Sequence, residues 1–401
     1  MSHARITRRY LLGAMGAAGA LAALPSCKGR GEQPGGAGAR RIKIGLVVPQ
    51  AGVYATVGAY MKNAWELWLE RHHGKLGTFE VTTVIADEGE TPQTGVPAIQ
   101  KLLQSDQVDA IVGMVSSAVA LGAQSIIAEA RKLLIVANAG ASDITGAKRS
   151  PYIWRTSFTN VQIASATGTY LAGQPDVGPV YLIAPDYAAG AEVIRGFKAT
   201  FEARGGKIAG EAKPALGKTQ DYQPFLAGIQ ASGARAVYCF FAGAEAVAFV
   251  KQYEQFGLSK QIPLYGSGFL TEGSVLPAQG DAALGIQTVL HYTTELDNSA
   301  NKEFVAAWRA KFNAPPAVYS VQMWDAAGVL DRALALATAL DGDSLGKALG
   351  SIGTIDDSPR GPWSFDNQSP RQKMYLRKVE KRGTEYINAV VADLGEVAAL
   401  T

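Results

Sequence analysis

From Arg41 onward, short apolar runs alternate with segments in which apolar residues recur at helical spacing. Ile42–Val48 is strand-like, and Val57–Arg71 follows with Ala64, Leu67 and Trp68 near one helix face. Phe79–Ala86 predicts a strand and Gly95–Ser105 a helix. Asp109–Gly113 predicts a strand, Ser117–Lys132 a helix and Leu133–Ala137 a strand. A second series begins after Tyr152–Ser157. It runs through strand Pro179–Ala184, helix Ala189–Arg204, strand Gly206–Glu211, helix Asp221–Ala231, strand Ala234–Phe241, helix Ala244–Phe256 and strand Ile262–Gly266. Strand–helix alternation of this kind makes a parallel sheet covered by helices on both faces. Beyond Gly285–His291 the pattern turns helical over Asn301–Phe312, Ser320–Leu340 and Ser344–Ser351. Trp363–Phe365, Met374–Glu380 and Tyr386–Val391 then read as late antiparallel strands. The class expected is α/β, with two doubly wound parallel-sheet lobes.

The first 27 residues break this rhythm and read as an address. Thr7-Arg8-Arg9-Tyr10-Leu11-Leu12 is a twin-arginine pattern, and the apolar stretch Leu11 to Leu24 is too short for a convincing membrane span. Leu24-Pro25-Ser26-Cys27 resembles a bacterial lipobox, in which Cys27 would be acylated and become the new N-terminus. Pro25 departs from the usual residue there, and a plain secretory leader with an incidental cysteine is the alternative. The tract 28–40, rich in Gly and polar residues, predicts a flexible tether between membrane and folded body.

At 401 residues the chain is too long for one ordinary domain. Its formal charge is +3, but Arg5, Arg8 and Arg9 lie in the leader, and without them 35 basic residues face 35 acidic ones. That balance argues against a nucleic-acid partner. Cys27 and Cys239 are the two cysteines, so no structural disulfide is expected, and Cys239 reads as a buried strand thiol. His3, His72, His73 and His291 form no cluster with zinc spacing. His72-His73 ends a predicted helix, where a cation is favoured by the helix dipole. No phosphate-binding loop, no strand-anchored GxGxxG and no nucleophile elbow occur. No catalytic residue, metal or cofactor is expected.

Several segments, in order and spacing, carry a resemblance. Ile42-Lys43-Ile44-Gly45-Leu46-Val47-Val48-Pro49 leads, with Ala51-Gly52-Val53-Tyr54-Ala55 behind it. Gly113-Met114-Val115-Ser116-Ser117 and Asn138-Ala139-Gly140-Ala141-Ser142 follow. The second half has Pro185-Asp186-Tyr187 with Gly190, Gln252-Tyr253-Glu254-Gln255-Phe256-Gly257-Leu258 and Gly280-Asp281-Ala282-Ala283-Leu284-Gly285. Over these the chain resembles the leucine/isoleucine/valine-binding proteins, the type I periplasmic binding proteins of ABC transporters. The resemblance implies two lobes joined by a three-segment hinge, a small carboxylate held between them, no catalysis, and a permease as partner to a lipid-anchored monomer. Lobe 1 is expected at 41–157 plus 290–360 and lobe 2 at 158–289 plus 361–401. A ligand-binding sensor that presents a small molecule to a membrane receptor is the alternative output.

The candidate ligand residues lie where strands end. Ser116 and Ser117 open a helix, where a serine either caps free N–H groups or helps to hold a carboxylate; the resemblance implies the latter. Gly140, Ala141 and Ser142 follow a strand and offer main-chain groups and a hydroxyl, or form an ordinary turn. Tyr54 and Tyr187 lie in the first loop of each lobe, as cleft walls or lobe cover. Phe241 is either a cleft residue or a core phenylalanine. Phe269, after Gly268, offers a stacking face. Two departures from the family bear on the ligand. The acid that pairs a ligand ammonium after the strand Ile262–Gly266 is missing before Glu272, and Val57 stands where the family has a tyrosine. An ammonium left without its counter-charge costs several kcal/mol. The expected ligand is therefore an aromatic acid before a branched-chain amino acid. Asp357-Ser358-Pro359-Arg360-Gly361-Pro362-Trp363 and Tyr375-Leu376-Arg377-Lys378-Val379 are similar to members that take up aromatic acids.

Overall fold

The computed structural model describes residues 40–399. The twin-arginine leader, Cys27 and the tether up to residue 39 lie outside the described residues. The first lobe opens with β1 (Arg41–Val48), α1 (Ala55–Arg71), β2 (Lys75–Leu76), β3 (Phe79–Asp87) and α2 (Pro92–Gln104). It continues through β4 (Ala110–Gly113), α3 (Ser117–Ala130), β5 (Leu133–Val136) and β6 (Ile153–Arg155). The strands lie in the order β2-β3-β1-β4-β5-β6, all parallel apart from the short β2–β3 pair. Every residue of β4 and β5 is buried, as a strand covered on both faces requires.

The second lobe takes in α4 (Asn160–Ala172), β7 (Val180–Ile183), α5 (Ala188–Glu202), β8 (Ile208–Ala212) and α6 (Gln223–Ala231). It goes on through β9 (Ala236–Cys239), α7 (Gly243–Gln255), β10 (Leu264–Ser267), α8 (Val275–Gln279) and β11 (Gln287–Leu290). The chain then returns to the first lobe as α9 (Ser299–Phe312), α10 (Val318–Leu336) and α11 (Gly342–Ser351). Tyr60 of α1 stacks on Trp308 of α9, and Trp68 meets Trp324 of α10 edge-on. The last strands, β12 (Thr354–Ile355), β13 (Trp363–Asp366), β14 (Ser369–Arg382) and β15 (Glu385–Val397), complete the second sheet. Its order is β12-β13-β14-β11-β10-β9-β7-β8, with β15 on β14. Because β12 already pairs with β13, the second sheet regains the chain ahead of the expected boundary at 360.

Helix α4 is absent from the pattern-based reading. Its sequence, NVQIASATGTYLA, shows no apolar stripe because nearly the whole helix is buried. Its polar side chains are satisfied inside: Gln162 Nε2 donates to the carbonyls of Pro370 and Val397, and Ser165 Oγ to that of Gly196. Small residues let it lie close against α5, where Thr200 Oγ1 donates to the Ser165 carbonyl at 3.1 Å.

The chain crosses between the lobes after β6, after β11 and after α11, and a buried guanidinium ties the first crossing to α10 and β14. Arg360 Nε donates to Asp325 Oδ2 on α10 at 2.6 Å, and Nη2 donates to the Thr156 carbonyl at 2.6 Å. Nη1 donates to Gln372 Oε1 on β14, and Gln372 Nε2 to the Ser157 carbonyl. Ser358 Oγ shares Asp325 Oδ2. Arg360 and Asp325 are 2 % and 4 % exposed, so each charge depends on the other for its solvation.

In the first lobe, the β1–β4 rim is fixed by Glu88, which is fully buried behind β3. Its carboxylate accepts the N–H groups of Val115 and Ser116 at 2.6–3.0 Å, just ahead of α3. Burial pushes its carboxyl up to about 7, against the pull of those two N–H bonds and with a further push from Asp87.

Two predictions follow from these buried charges. Asp325→Asn leaves Arg360 uncompensated, and urea unfolding at pH 7 is expected to show a loss of about 3–5 kcal/mol. Glu88 is raised in the folded state, so its favourable contribution is present below pH 4.5 and is lost as pH rises through about 7. Glu88→Gln is expected to flatten the decline of the urea midpoint across that window; an unchanged slope shows that Glu88 does not titrate there.

Candidate functional site

Among its parallel strands each sheet reverses its order at one place, and both reversals face the gap between the lobes. In the first sheet β1 lies between β3 and β4; in the second β7 lies between β8 and β9. Loops at such a reversal diverge to opposite sides of the sheet and leave a crevice beyond the strand ends. The first-lobe crevice is bordered by Tyr54 after β1 and Ser116-Ser117 after β4. The second is bordered by Tyr187 after β7 and the 240–243 turn after β9. In this structure the rims meet: a Cβ placed on Gly243 stands 3.8 Å from the Val53 carbonyl. Burial first, then the charges of Tyr54 and Glu245, raise the Tyr187 phenol well above its ordinary value, so the tyrosines of the two rims are electrostatic neighbours.

Most of the candidate polar groups converge on one loop. Ser116 caps α3, its Oγ accepting the Val119 N–H at 3.3 Å, and its own N–H is held by Glu88. The capping reading therefore accounts for Ser116, and its main-chain donor is already used. Ser117 Oγ accepts the Ala141 N–H at 3.0 Å, which joins the two candidate segments. The Gly140 carbonyl accepts the Asn160 N–H at 2.8 Å. A Cβ on Gly140 would lie 2.5 Å from both Asn160 Oδ1 and the Phe158 ring, so the glycine is demanded by close packing. The Ser142 N–H is held by Glu192 of α5, while its buried hydroxyl has no partner among the described residues. Beneath this loop, Arg155 donates to the carbonyls of Ala139, Ala141 and Phe158 and to Thr145 Oγ1. Burial lowers its guanidinium to about 9, partly offset by the charge of Glu192.

The aromatic candidates divide. Phe241 is a core residue, stacked on Phe249 at 4.5 Å and edge-on to Tyr222. Val237, Cys239 and Phe241 share one face of the β9 segment; Tyr238 and Phe240 take the other. Phe240 is thus the ring at the rim, 6.2 Å from Tyr187 and 6.4 Å from Phe269. Phe269 also meets Phe158 at 4.9 Å and Tyr319 at 6.1 Å. Gly268 serves packing: its carbonyl accepts from Arg377, and a Cβ there would lie 2.4 Å from Leu290. Glu272, the first acid after β10, is paired with Arg377 at 2.8 Å and accepts the Val318 N–H at 2.7 Å.

The pattern-based reading omitted Phe158, Phe240, Tyr319, Asn160, Arg155 and Glu192. Strand alternation marked Phe240; nothing local marks the others, which come from helices, a crossing and, for Arg155, the end of β6. Two of the described histidines are packed into the fold. His72 stacks on Trp68 at 4.0 Å and ends α1. His291 is fully buried, driven well below its ordinary value by burial and by Arg360 and Arg377. Burial likewise pushes the Cys239 thiol well up. Among the described residues no His, Cys, Asp and Glu group can hold a metal, and no helix is long and apolar enough to cross a membrane.

Comparison with known proteins agrees with this architecture. Residues 41–384 match the family model described as periplasmic binding protein. A solute-binding protein of an ABC transporter from Rhodopseudomonas palustris, solved in complex with benzoate, is 35% identical, with a TM-score of 0.82 over 90% of this chain and 98% of that one. A second, from strain BisB5 with 3,4-dihydroxybenzoic acid, is 33% identical with a TM-score of 0.83 over 90% and 98% of the two chains. Leu/Ile/Val-binding protein homolog 6 of Brucella melitensis is 31% identical over 355 residues, 86% of this chain and 90% of that protein. The two facing strand rims, the triple crossing and these matches lead to one statement: the chain belongs to the periplasmic binding protein family.

Proposed function

We propose that this protein is the solute-capturing receptor of an ABC uptake system, that its ligand is an aromatic carboxylate, and that it performs no chemistry on it. The observation that carries the reading is the row of rings Tyr187, Phe240, Phe269 and Phe158 across the rim beside the Ser117–Ser142 loop. A flat ring stacks or packs edge-on against such a row, and the hydroxyls and N–H groups at its end suit a carboxylate. The pairing of Glu272 with Arg377 adds support, because that acid is not free to meet a ligand ammonium. The relatives solved with benzoate and 3,4-dihydroxybenzoic acid favour the same class.

In this mechanism the rims part, the ligand's carboxylate settles on Ser117 and Ser142, and the second lobe closes its rings over the aromatic face. The ligand shifts the population only by its preference for the closed form, which is the form a permease would read. Lobe 1 is 41–157 plus the chain from 290 to α11 in this scheme, and lobe 2 is 158–289 plus the chain from β12 onward. The twin-arginine leader exports the chain, and acylation of Cys27 holds a monomer at the membrane through the 28–40 tether.

Isothermal calorimetry with benzoate, 4-hydroxybenzoate and leucine tests the ligand class. Tight binding of leucine, with none of the aromatic acids, overturns it. Ser117→Ala combined with Ser142→Ala is expected to weaken aromatic-acid affinity about tenfold or more, with an unchanged circular-dichroism spectrum. Cys27→Ser is expected to release the protein from the membrane fraction into the soluble one; retention at the membrane overturns the anchor.

A further inference from the structure

The carboxylate that holds Ser142 comes from the opposite lobe. Glu192 on α5 accepts the Ser142 N–H with Oε1 at 3.2 Å and Oε2 at 3.4 Å. Its Oε2 also accepts the Asn160 side-chain amide at 2.8 Å. The spot suits an anion in other ways. The buried Ser142 hydroxyl beside it has no partner among the described residues. The fully buried guanidinium of Arg155 lies behind the loop, bonded to carbonyls and to a threonine hydroxyl rather than to a carboxylate. Glu192 is the carboxylate whose charge reaches that guanidinium.

Two other carboxylates hold N–H groups near the gap, and neither has this character. Glu88 lies in the same lobe as the N–H groups it holds, so parting of the rims leaves those bonds intact. Glu272 crosses to Val318 but carries its own cation, Arg377. Glu192 crosses the gap, is only partly buried, and has the neutral Asn160 amide as its other partner.

We propose that Glu192 is a built-in competitor for the ligand: it occupies the carboxylate subsite of the first lobe, and an aromatic acid binds by displacing it. The inference rests on the carboxylate reading above. Two carboxylates repel at hydrogen-bond separation and cannot both take one N–H. The ligand must therefore replace what Glu192 loses, and its affinity is lower by that amount. The same contact ties α5 to the first lobe, so it also sets how far the protein is closed before ligand arrives.

Glu192→Gln and Glu192→Ala in the mature chain test this, in buffers free of acetate and other carboxylates. Calorimetry with benzoate is expected to show about tenfold tighter binding in both variants. Small-angle scattering without added ligand is expected to show a larger radius of gyration than wild type. Unchanged affinity and radius overturn the proposal. So does weaker binding, which makes Glu192 a ligand contact. If benzoate and 4-hydroxybenzoate do not bind the wild type, the ligand reading fails, and scattering alone decides the latch: no expansion in either variant overturns it.

Discussion

Arg360 lies where water does not reach, and its charge is satisfied by groups from distant parts of the chain. Asp325 on α10, the Thr156 carbonyl ahead of α4 and Gln372 on β14 all bond to it. Removing any one leaves a buried donor or charge without its partner, which is far costlier than losing an exposed ion pair. The first crossing is therefore pinned to α10 and β14, and one buried apolar cluster runs through both lobes, with a further cluster inside each. That is why the rims of the two sheets stay opposed, and why a residue after β4 and one after β7 can belong to a single site.

Parallel sheets explain what was legible in the sequence. Central strands buried on both faces read as continuous apolar runs, and their helices carry a stripe, so both lobes and the order of their elements emerge from pattern alone. The same logic explains what was not legible. α4 has no stripe because it is surrounded, and its buried Gln162 and Ser165 look like surface residues until their partners on β14, β15 and α5 are in place. The choice between Phe240 and Phe241 turned on strand phase, since a one-residue step exchanges core and rim. Tyr54, Tyr187 and Phe269 could be singled out because they lie in the segments that follow strands. Phe158, Asn160 and Glu192 could not, because their places depend on how a crossing segment and a helix pack against the other lobe.

Electrostatics near the gap follows a single economy of donors. The protein's own carboxylates hold several main-chain N–H groups near the gap: Glu88 at Val115 and Ser116, Glu272 at Val318, Glu192 at Ser142. Each binding has a different cost. Glu88 bears its burial without a cation, and its proton affinity rises accordingly. Glu272 is neutralised by Arg377, which is itself fixed by the carbonyls of Gly268 and Tyr292. This pairing makes Glu272 a structural tie between β14 and α10 rather than an acid free to meet an ammonium.

Closure in such a protein is a balance rather than an event. Contacts between the lobes, such as the Phe269–Tyr319 ring pair and the Glu272–Val318 bond, stabilise the closed arrangement whatever fills the gap. A ligand adds only the difference between its contacts in the closed and open forms. If the protein's own contacts were too strong, ligand would find the gap shut and the permease would receive closed receptors without cargo. If they were too weak, ligand would have to supply the whole cost of ordering the rims. Lobe-to-lobe bonds made by groups that a ligand can replace keep the equilibrium within reach of a small molecule of modest surface.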